Sequence, residues 1–459
     1  MSEPKKVGRR TFLNYAIAVV ATGVIVGAAT YLAVPKEVTT TTKTVTTTVT
    51  GTPTMTSTMP PKPEKLTLLV SAGAAEPDFY CRDASPLFTM KYGIPIEYTQ
   101  VPWDGLRDKI VTNLVGETGA FDVMGIYEGW LPQLVEYLEP IDQWLTDEDR
   151  KDYVEAALSR SSYEGVQYGL PKYLECRTII YNKEMFEKYK LSIPKTWSEF
   201  IDVAKTLTTD GVYGFLFPAG KAYIPGVFEQ FAWTKGGGTL ERDEHGFVKK
   251  PFKITIDSKE SIETMYLLRD FILTWKTTPK DVMVWGHAPL CDEFISERAA
   301  MATLWPYQQP LLNDPEKSKV IGKWGIFDLP LDPKGKCSVM SSSIGFCIPK
   351  ASKNKRWAFE FARFITGPEV QELIARKINL APVRYSSYEK VKDDPVIGDI
   401  IKGWFKANER SWPEGCFIPE WPQIADEVAI GCQTIMAGEK DAEVVCNELA
   451  AKIATILKI

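Results

Sequence analysis

Histidine is nearly missing from this chain: its 459 residues include two, His245 and His287. A histidine-rich metal centre is thereby excluded, and a Ser-His-Asp triad would have to rest on one of that pair. His245 lies in the turn-like Asp243-Glu244-His245-Gly246, so chemistry by histidine is not expected. No glycine-rich phosphate loop ending in Gly-Lys-Ser/Thr occurs, which assigns any use of ATP to a partner. No Cys-x-x-Cys pair suggests zinc or redox work, and no cofactor is called for. A lipid-modified N-terminal cysteine is missing too, since the first cysteine is Cys81. Positive charge is not in excess: 54 Lys+Arg against 59 Asp+Glu leave a net charge of −5. Nucleic acid, which needs clustered cations against its phosphates, is therefore not an expected partner.

What is present begins at the N-terminus. Lys5, Lys6, Arg9 and Arg10 precede an apolar run from Phe12 to Val34. Its 23 residues can cross a bilayer, which needs about 20. The basic flank stays cytoplasmic, so everything after Val34 is expected outside. Arg9-Arg10-Thr11-Phe12-Leu13 also resembles a twin-arginine export signal. Residues 1–35 read as a signal or membrane anchor, with the retained anchor favoured because Gly27-Ala28-Ala29 lies inside the apolar run. Residues 36–64 read as a linker. Thr39 to Thr58 contains 13 threonines, and Pro60, Pro61 and Pro63 close the stretch. Such a tract cannot bury apolar surface and behaves as an extended, glycosylated or bare, stalk.

The folded part begins near Lys65 and reads as mixed α/β, with 44% hydrophobic residues and length enough for two lobes. Leu66–Val70, Phe121–Met124, Thr178–Tyr181, Gly325–Leu329 and Ile344–Ile348 are short apolar runs suited to strands of a largely parallel sheet. Thr196-Trp197-Ser198-Glu199 is a capping box, opening a helix with Phe200, Val203, Ala204 and Leu207 on one face. A second helix from about Lys353 turns Trp357, Phe361, Phe364 and Ile365 inward. Gly367 ends it and Pro368 suits the first turn of the next.

The order of further signals carries a resemblance. Tyr168-Gly169-Leu170-Pro171, Ile180-Tyr181-Asn182-Lys183-Glu184-Met185-Phe186 and Pro194-Lys195-Thr196-Trp197-Ser198-Glu199-Phe200 come first. Phe231-Ala232-Trp233 before Gly236-Gly237-Gly238, Ala299-Ala300-Met301, Thr366-Gly367-Pro368-Glu369, Ala381-Pro382-Val383-Arg384 and Pro419-Glu420-Trp421 follow in sequence. Together, over about residues 65–459, they resemble the family 1 extracellular solute-binding proteins, the maltose-binding-protein-like partners of ABC sugar transporters. One departure is Ser341-Ser342-Ser343, where members often have glycines. The resemblance implies a two-lobed periplasmic-binding-protein-like fold with three inter-lobe crossings and a ligand cleft. Crossings are expected near Tyr168–Glu175, Leu329–Leu331 and Asn379–Tyr385. The N-terminal lobe would then comprise 65–170 and 331–380, and the C-terminal lobe 171–330 and 381–459. It also implies a binding function without catalysis: capture of a sugar or oligosaccharide outside the cell by lobe closure, and delivery to permease subunits served by a separate ATPase.

Sugar capture needs aromatic faces for the ring and carboxylates or amides for the hydroxyl rim. Tyr127, Glu128 and Trp130 follow the strand ending near Met124, and Trp305 and Tyr307 follow the strand ending at Leu304. By the resemblance, Glu175 stands where maltose-binding relatives place a ligand-contacting glutamate. Trp233 precedes a glycine run, and Arg384, Trp412 and Trp421 lie in the last third. Glu76, Trp103, Tyr223 and Ser342 complete the candidate ligand set. Trp144, Trp197 and Trp357 are read as core. The eight cysteines fit an exposed compartment with up to four bridges, or stand as buried thiols. Two other classes remain open. An extracellular glycoside hydrolase would need a carboxylate pair, for which Glu128 and Glu175 are the candidates. A binding protein for a polyamine, a glycerol phosphate or a metal complex would differ in cleft charge.

Overall fold

The short apolar runs become strands of two sheets in the computed structural model, which describes residues 59–459. The expected anchor and residues 36–58 of the expected linker lie outside the described residues. Among the described residues, no helix is long and apolar enough to cross a membrane.

The first sheet has the order β2 (Ile96–Val101), β1 (Leu66–Ser71), β3 (Val123–Tyr127), β11 (Ile344–Cys347), β6 (Gly169–Pro171). Alternation along β1 sends Leu66, Leu68 and Val70 into one core with Phe79, Phe88, Phe346 and Phe361. Leu69 faces the other way, onto Leu106 and Ile110 of the helix Trp103–Val115. A sheet covered on both faces needs strands that are apolar on both, and β1 is so composed. A small hairpin, β4 (Ser162–Tyr163) with β5 (Val166–Gln167), leads into β6.

The second sheet is built around β7 (Glu175–Asn182), which is buried along almost its whole length. Its neighbours are β8 (Met301–Leu304), β9 (Trp324–Phe327) and β10 (Met340–Ser342), and β12 (Trp412–Pro413) pairs with β10. In its core Phe215 meets Phe200 and Phe271 edge-on and stacks with Phe231. The apolar runs therefore become strands as expected, but the largely parallel arrangement does not hold. β1 is parallel to β2 and β3, whereas β11 is antiparallel to β3 and β6, and β7 is antiparallel to β8, β9 and β10. Apolar runs report burial, and burial does not encode strand direction.

The chain leaves the first sheet after β6 and enters the second at β7, through Lys172, Tyr173 and Leu174. It returns between β10 and β11 at the single residue Ser343. Leu329, at a crossing implied by the resemblance, packs in the second core. Leu380, Ala381 and Val383, at another, pack in the first core, as do Trp404 and Phe405 of the helix Gly398–Glu409. The chain rejoins the second sheet at β12.

Local signals hold at the helix ends. Thr196 and Glu199 form the reciprocal capping box of the helix Trp197–Leu207. Pro368 stands in the first turn of the helix Pro368–Ile378. Trp357 is buried, but its indole also donates to the carbonyls of Pro60 and Pro61 at 2.9 and 3.1 Å, so it clasps the incoming chain. All eight cysteines are free and buried, so the bridged alternative does not hold.

Candidate functional site

Strand ends place the polar side chains that meet between the two lobes. β1 and β3 run parallel, so the segments beyond their carboxyl ends lie together. Glu76, in the short helix Ala75–Phe79 after β1, is buried, and Tyr127 closes β3 with Glu128 directly beyond it. In the second sheet, antiparallel pairing sets Ser342 opposite Glu175 and Leu304 opposite Thr178. Trp305 and Tyr307, just past β8, are thereby brought to the start of β7. Parallel pairing of β10 with β12 sets Ser341 opposite Pro413, and Glu414 follows, its amide donating to the Ser341 carbonyl at 2.9 Å.

The lobes touch through these groups. The Tyr127 hydroxyl donates to Glu414 Oε2 at 2.9 Å, and the Glu414 amide donates to Glu128 Oε1 at 3.1 Å. Arg160 donates from Nη2 to Ser341 Oγ at 2.9 Å, and its Nε lies 3.9 Å from Glu128 Oε2. A Cβ added at Gly415 would stand 3.0 Å from the Cα of Gly129, so two glycines permit a close backbone approach there. Tyr127 also meets Trp103 and Trp130 edge-on, while those two indoles stack with centroids 5.1 Å apart.

Buried charge sets the electrostatics. Glu76 pairs with Lys172 at 2.7 Å. Burial raises its carboxyl, with Lys172 opposing. Tyr173 donates to Glu175 Oε1 at 2.7 Å, yet burial pushes the Glu175 carboxyl up to about 8. Burial likewise carries Glu128 up to about 8, outweighing Arg160. The Glu414 carboxyl is also raised by burial, opposed by the Arg177 charge and by hydrogen bonds from Tyr127 and Ser342. Arg177 is buried, donates to Gln230 Oε1 at 2.8 Å and to the Gly226 carbonyl at 2.6 Å, and lies 5.4 Å from the Trp305 ring centroid. Such a set presents aromatic surface beside groups that both accept and donate, which suits a neutral, hydroxyl-rich solute.

The fold thus brings together Glu76, Tyr127, Glu128, Glu175, Trp305, Tyr307 and Ser342 of the sequence candidates. Trp103 and Trp130 join through Tyr127, and Tyr223 through the ring of His287, 5.1 Å away. Trp233 and Trp412 pack on each other at 5.5 Å and share a cluster with Trp305. Their indole nitrogens are engaged, by Glu229 and by the Glu244 carbonyl. Trp421 is buried in the second core.

Arg384 is not brought there and requires correction. It is buried in the first lobe, 3.1 Å from Asp149 Oδ1, 3.6 Å from the Tyr153 ring centroid, and donating to the Thr366 carbonyl at 3.0 Å. Sequence reasoning missed Lys172, Arg160, Arg177, His287 and Glu414. Arg177 was accessible, because Tyr173, Glu175 and Arg177 alternate and so share a side of an extended chain. Glu414 stands two residues beyond the candidate Trp412, with no local mark of its own.

Known proteins share this architecture. Residues 68–372 match the family described as bacterial extracellular solute-binding protein. A binding protein of Brucella abortus (strain 2308) is 28% identical over 375 residues, covering 80% of this chain and 86% of that one. The structure of an ABC transporter solute-binding protein from Thermotoga lettingae, bound with alpha-D-tagatose, superposes with a TM-score of 0.76 at 26% identity, covering 86% of this chain and 100% of the other. Maltose-bound MalE3 of T. maritima gives a TM-score of 0.77 at 21% identity, covering 85% and 99%.

Proposed function

We infer the function from one premise: this chain belongs to the bacterial extracellular solute-binding protein family. It is the capturing component of an ABC transporter, and its solute is a sugar or sugar alcohol held between the lobes. The observation that carries this reading is the bond from Tyr127, at the end of a first-sheet strand, to Glu414, just beyond a second-sheet strand, beside Trp305 and Glu175. A group reaching across the seam next to aromatic and acceptor surfaces lets a solute favour the closed arrangement over the open one. The tagatose held by the T. lettingae neighbour supports a carbohydrate.

The protein binds without turnover, works outside the cell, and passes its solute to permease subunits powered by a separate ATPase. Residues 1–35 attach it to the membrane or export it, and the threonine tract spaces it from the surface. One lobe is formed by residues 65–171 with 344–408, and the other by 175–342 with 412–459. Glu128 and Glu175 serve recognition rather than bond cleavage: one is tied to Arg160 and the Glu414 amide, the other to Tyr173.

Thermal melting with a panel of monosaccharides, sugar alcohols and oligosaccharides tests the reading. A probe at about 100 times its Kd stabilises the native state by about 2.7 kcal/mol. Release of shortened products from an oligosaccharide would establish the hydrolase instead.

A further inference from the structure

His287, which links Tyr223 to the cleft, has so far been given no role of its own; it opens the helix His287–Ile295 and is 7% exposed. The Trp305 indole donates from Nε1 to its Nε2 at 3.0 Å. An indole nitrogen can only donate, so Nε2 is the bare nitrogen of a neutral imidazole and the proton sits on Nδ1. The charged ring is suppressed: burial, reinforced by the Arg177 charge, pulls the His287 pKa down to about 3. The resulting Nδ1–H has no hydrogen-bond partner among the described residues. Buried donors of folded proteins are ordinarily satisfied, and an orphan calls for an occupant.

The surroundings point to where that occupant sits. Three rings enclose the imidazole edge-on: Tyr223 at 5.1 Å, Trp305 at 6.3 Å and Tyr307 at 6.4 Å between centroids. Gln308 fixes the local backbone from both sides. Its Nε2 donates to the His287 carbonyl at 2.9 Å, and its Oε1 accepts from the Trp305 amide at 3.1 Å. The imidazole is therefore held rigidly, with one nitrogen used and one spare, amid the aromatic groups assigned to the solute.

We propose that His287 is a specificity residue of the cleft, its Nδ1–H donating to an oxygen of the bound solute while its Nε2 fixes the edge of the Trp305 ring. This rests on the solute-capture reading above. It demands a solute with an accepting oxygen at that point, and it separates sugars from solutes that only donate.

Substitution separates the two nitrogens. In His287→Gln the amide oxygen can accept from Trp305 in place of Nε2, and the Nδ1 donor is lost. In His287→Asn the amide nitrogen stands near Nδ1, and the bond to Trp305 is lost. The full chain is titrated with D-tagatose, D-mannitol, maltose and spermidine, and its imidazoles are followed by 15N NMR. Nδ1 is expected to stay protonated from pH 5 to about 8, and its proton to move downfield on saturation with the tightest-binding sugar. His287→Gln should weaken that sugar at least about tenfold with little change in melting temperature, while His287→Asn restores part of the loss and alters Trp305 fluorescence. An Nε2-protonated ring, or a sugar bound equally by wild type and both variants, overturns the assignment and leaves sugar capture standing. Binding of spermidine alone, which offers no oxygen, overturns both.

Discussion

Trp305 and Arg384 are both almost wholly enclosed, yet their removal should be read in different experiments. Arg384 is locked to Asp149 inside the first lobe, away from the seam. Arg384→Ala removes the bonds to Asp149 and the Thr366 carbonyl while Asp149 keeps Arg363 at 2.7 Å, so it should cost about 1–3 kcal/mol of stability. Solute affinity per folded molecule stays unchanged, and denaturant melts beside calorimetric titration check both halves of the claim. Trp305→Ala should weaken binding by about 2 kcal/mol, roughly thirtyfold, because it removes a desolvated aromatic contact. Undiminished affinity in the folded Trp305 variant would remove that ring from the site.

Glu175 makes a further residue-scale prediction, on pH. Burial raises its carboxyl from the ordinary 4.5 to about 8, against the bond from Tyr173 and the Lys172 charge, with Glu76 and Glu414 adding to the rise. Between those values the folded protein keeps a proton that the unfolded chain has released. Folded stability from this group is therefore complete below pH 4.5, falls as pH rises through about 8, and then levels. Glu175→Gln cannot ionise, so its stability should decline less steeply over the same window. Urea titrations at a series of pH values decide this, and parallel slopes would place the proton on another group.

At the scale of elements, the helix Trp197–Leu207 depends on its capping box. Thr196→Ala should cost about 1 kcal/mol, read as a lower urea midpoint with unchanged cooperativity. That box was legible in the sequence because cap and amide lie three residues apart. Strand positions were legible for a similar reason, since the apolar runs at Leu66 and Ile344 are continuous. The site was legible where a candidate directly follows a strand, as Tyr127 and Trp305 do. It was obscure where function depends on register between distant segments: Tyr127 and Glu414 are separated by 287 positions. Arg384 shows the converse failure. A cation in a family-like motif was assigned to the cleft, but its partner Asp149 lies in an unmarked acidic helix, Asp147–Asp152, of the same lobe. Strand direction escaped too, because β7 and β1 are both largely buried and yet pair in opposite senses.

For the whole molecule, Gly415 meets Gly129 across the seam, and added bulk there should limit how tightly the lobes meet. A single added carbon already reaches 3.0 Å from backbone, and a branched side chain must push further. Gly415 is not left-handed, so valine introduces a wedge without backbone strain. Gly415→Val should hold the lobes apart. Solution scattering at saturating sugar would then find the variant more extended than wild type and its apparent affinity reduced. Equal compaction of both proteins would show that closure does not depend on this contact.

The clasp of Trp357 on Pro60 and Pro61 has a mechanical consequence. The chain arrives at the first lobe and is gripped there before β1 begins, by a helix of that same lobe. A pull from the N-terminal side would thus enter the molecule through that lobe. Were the chain tethered as proposed, the lobe built on β7 would take no direct load from the tether.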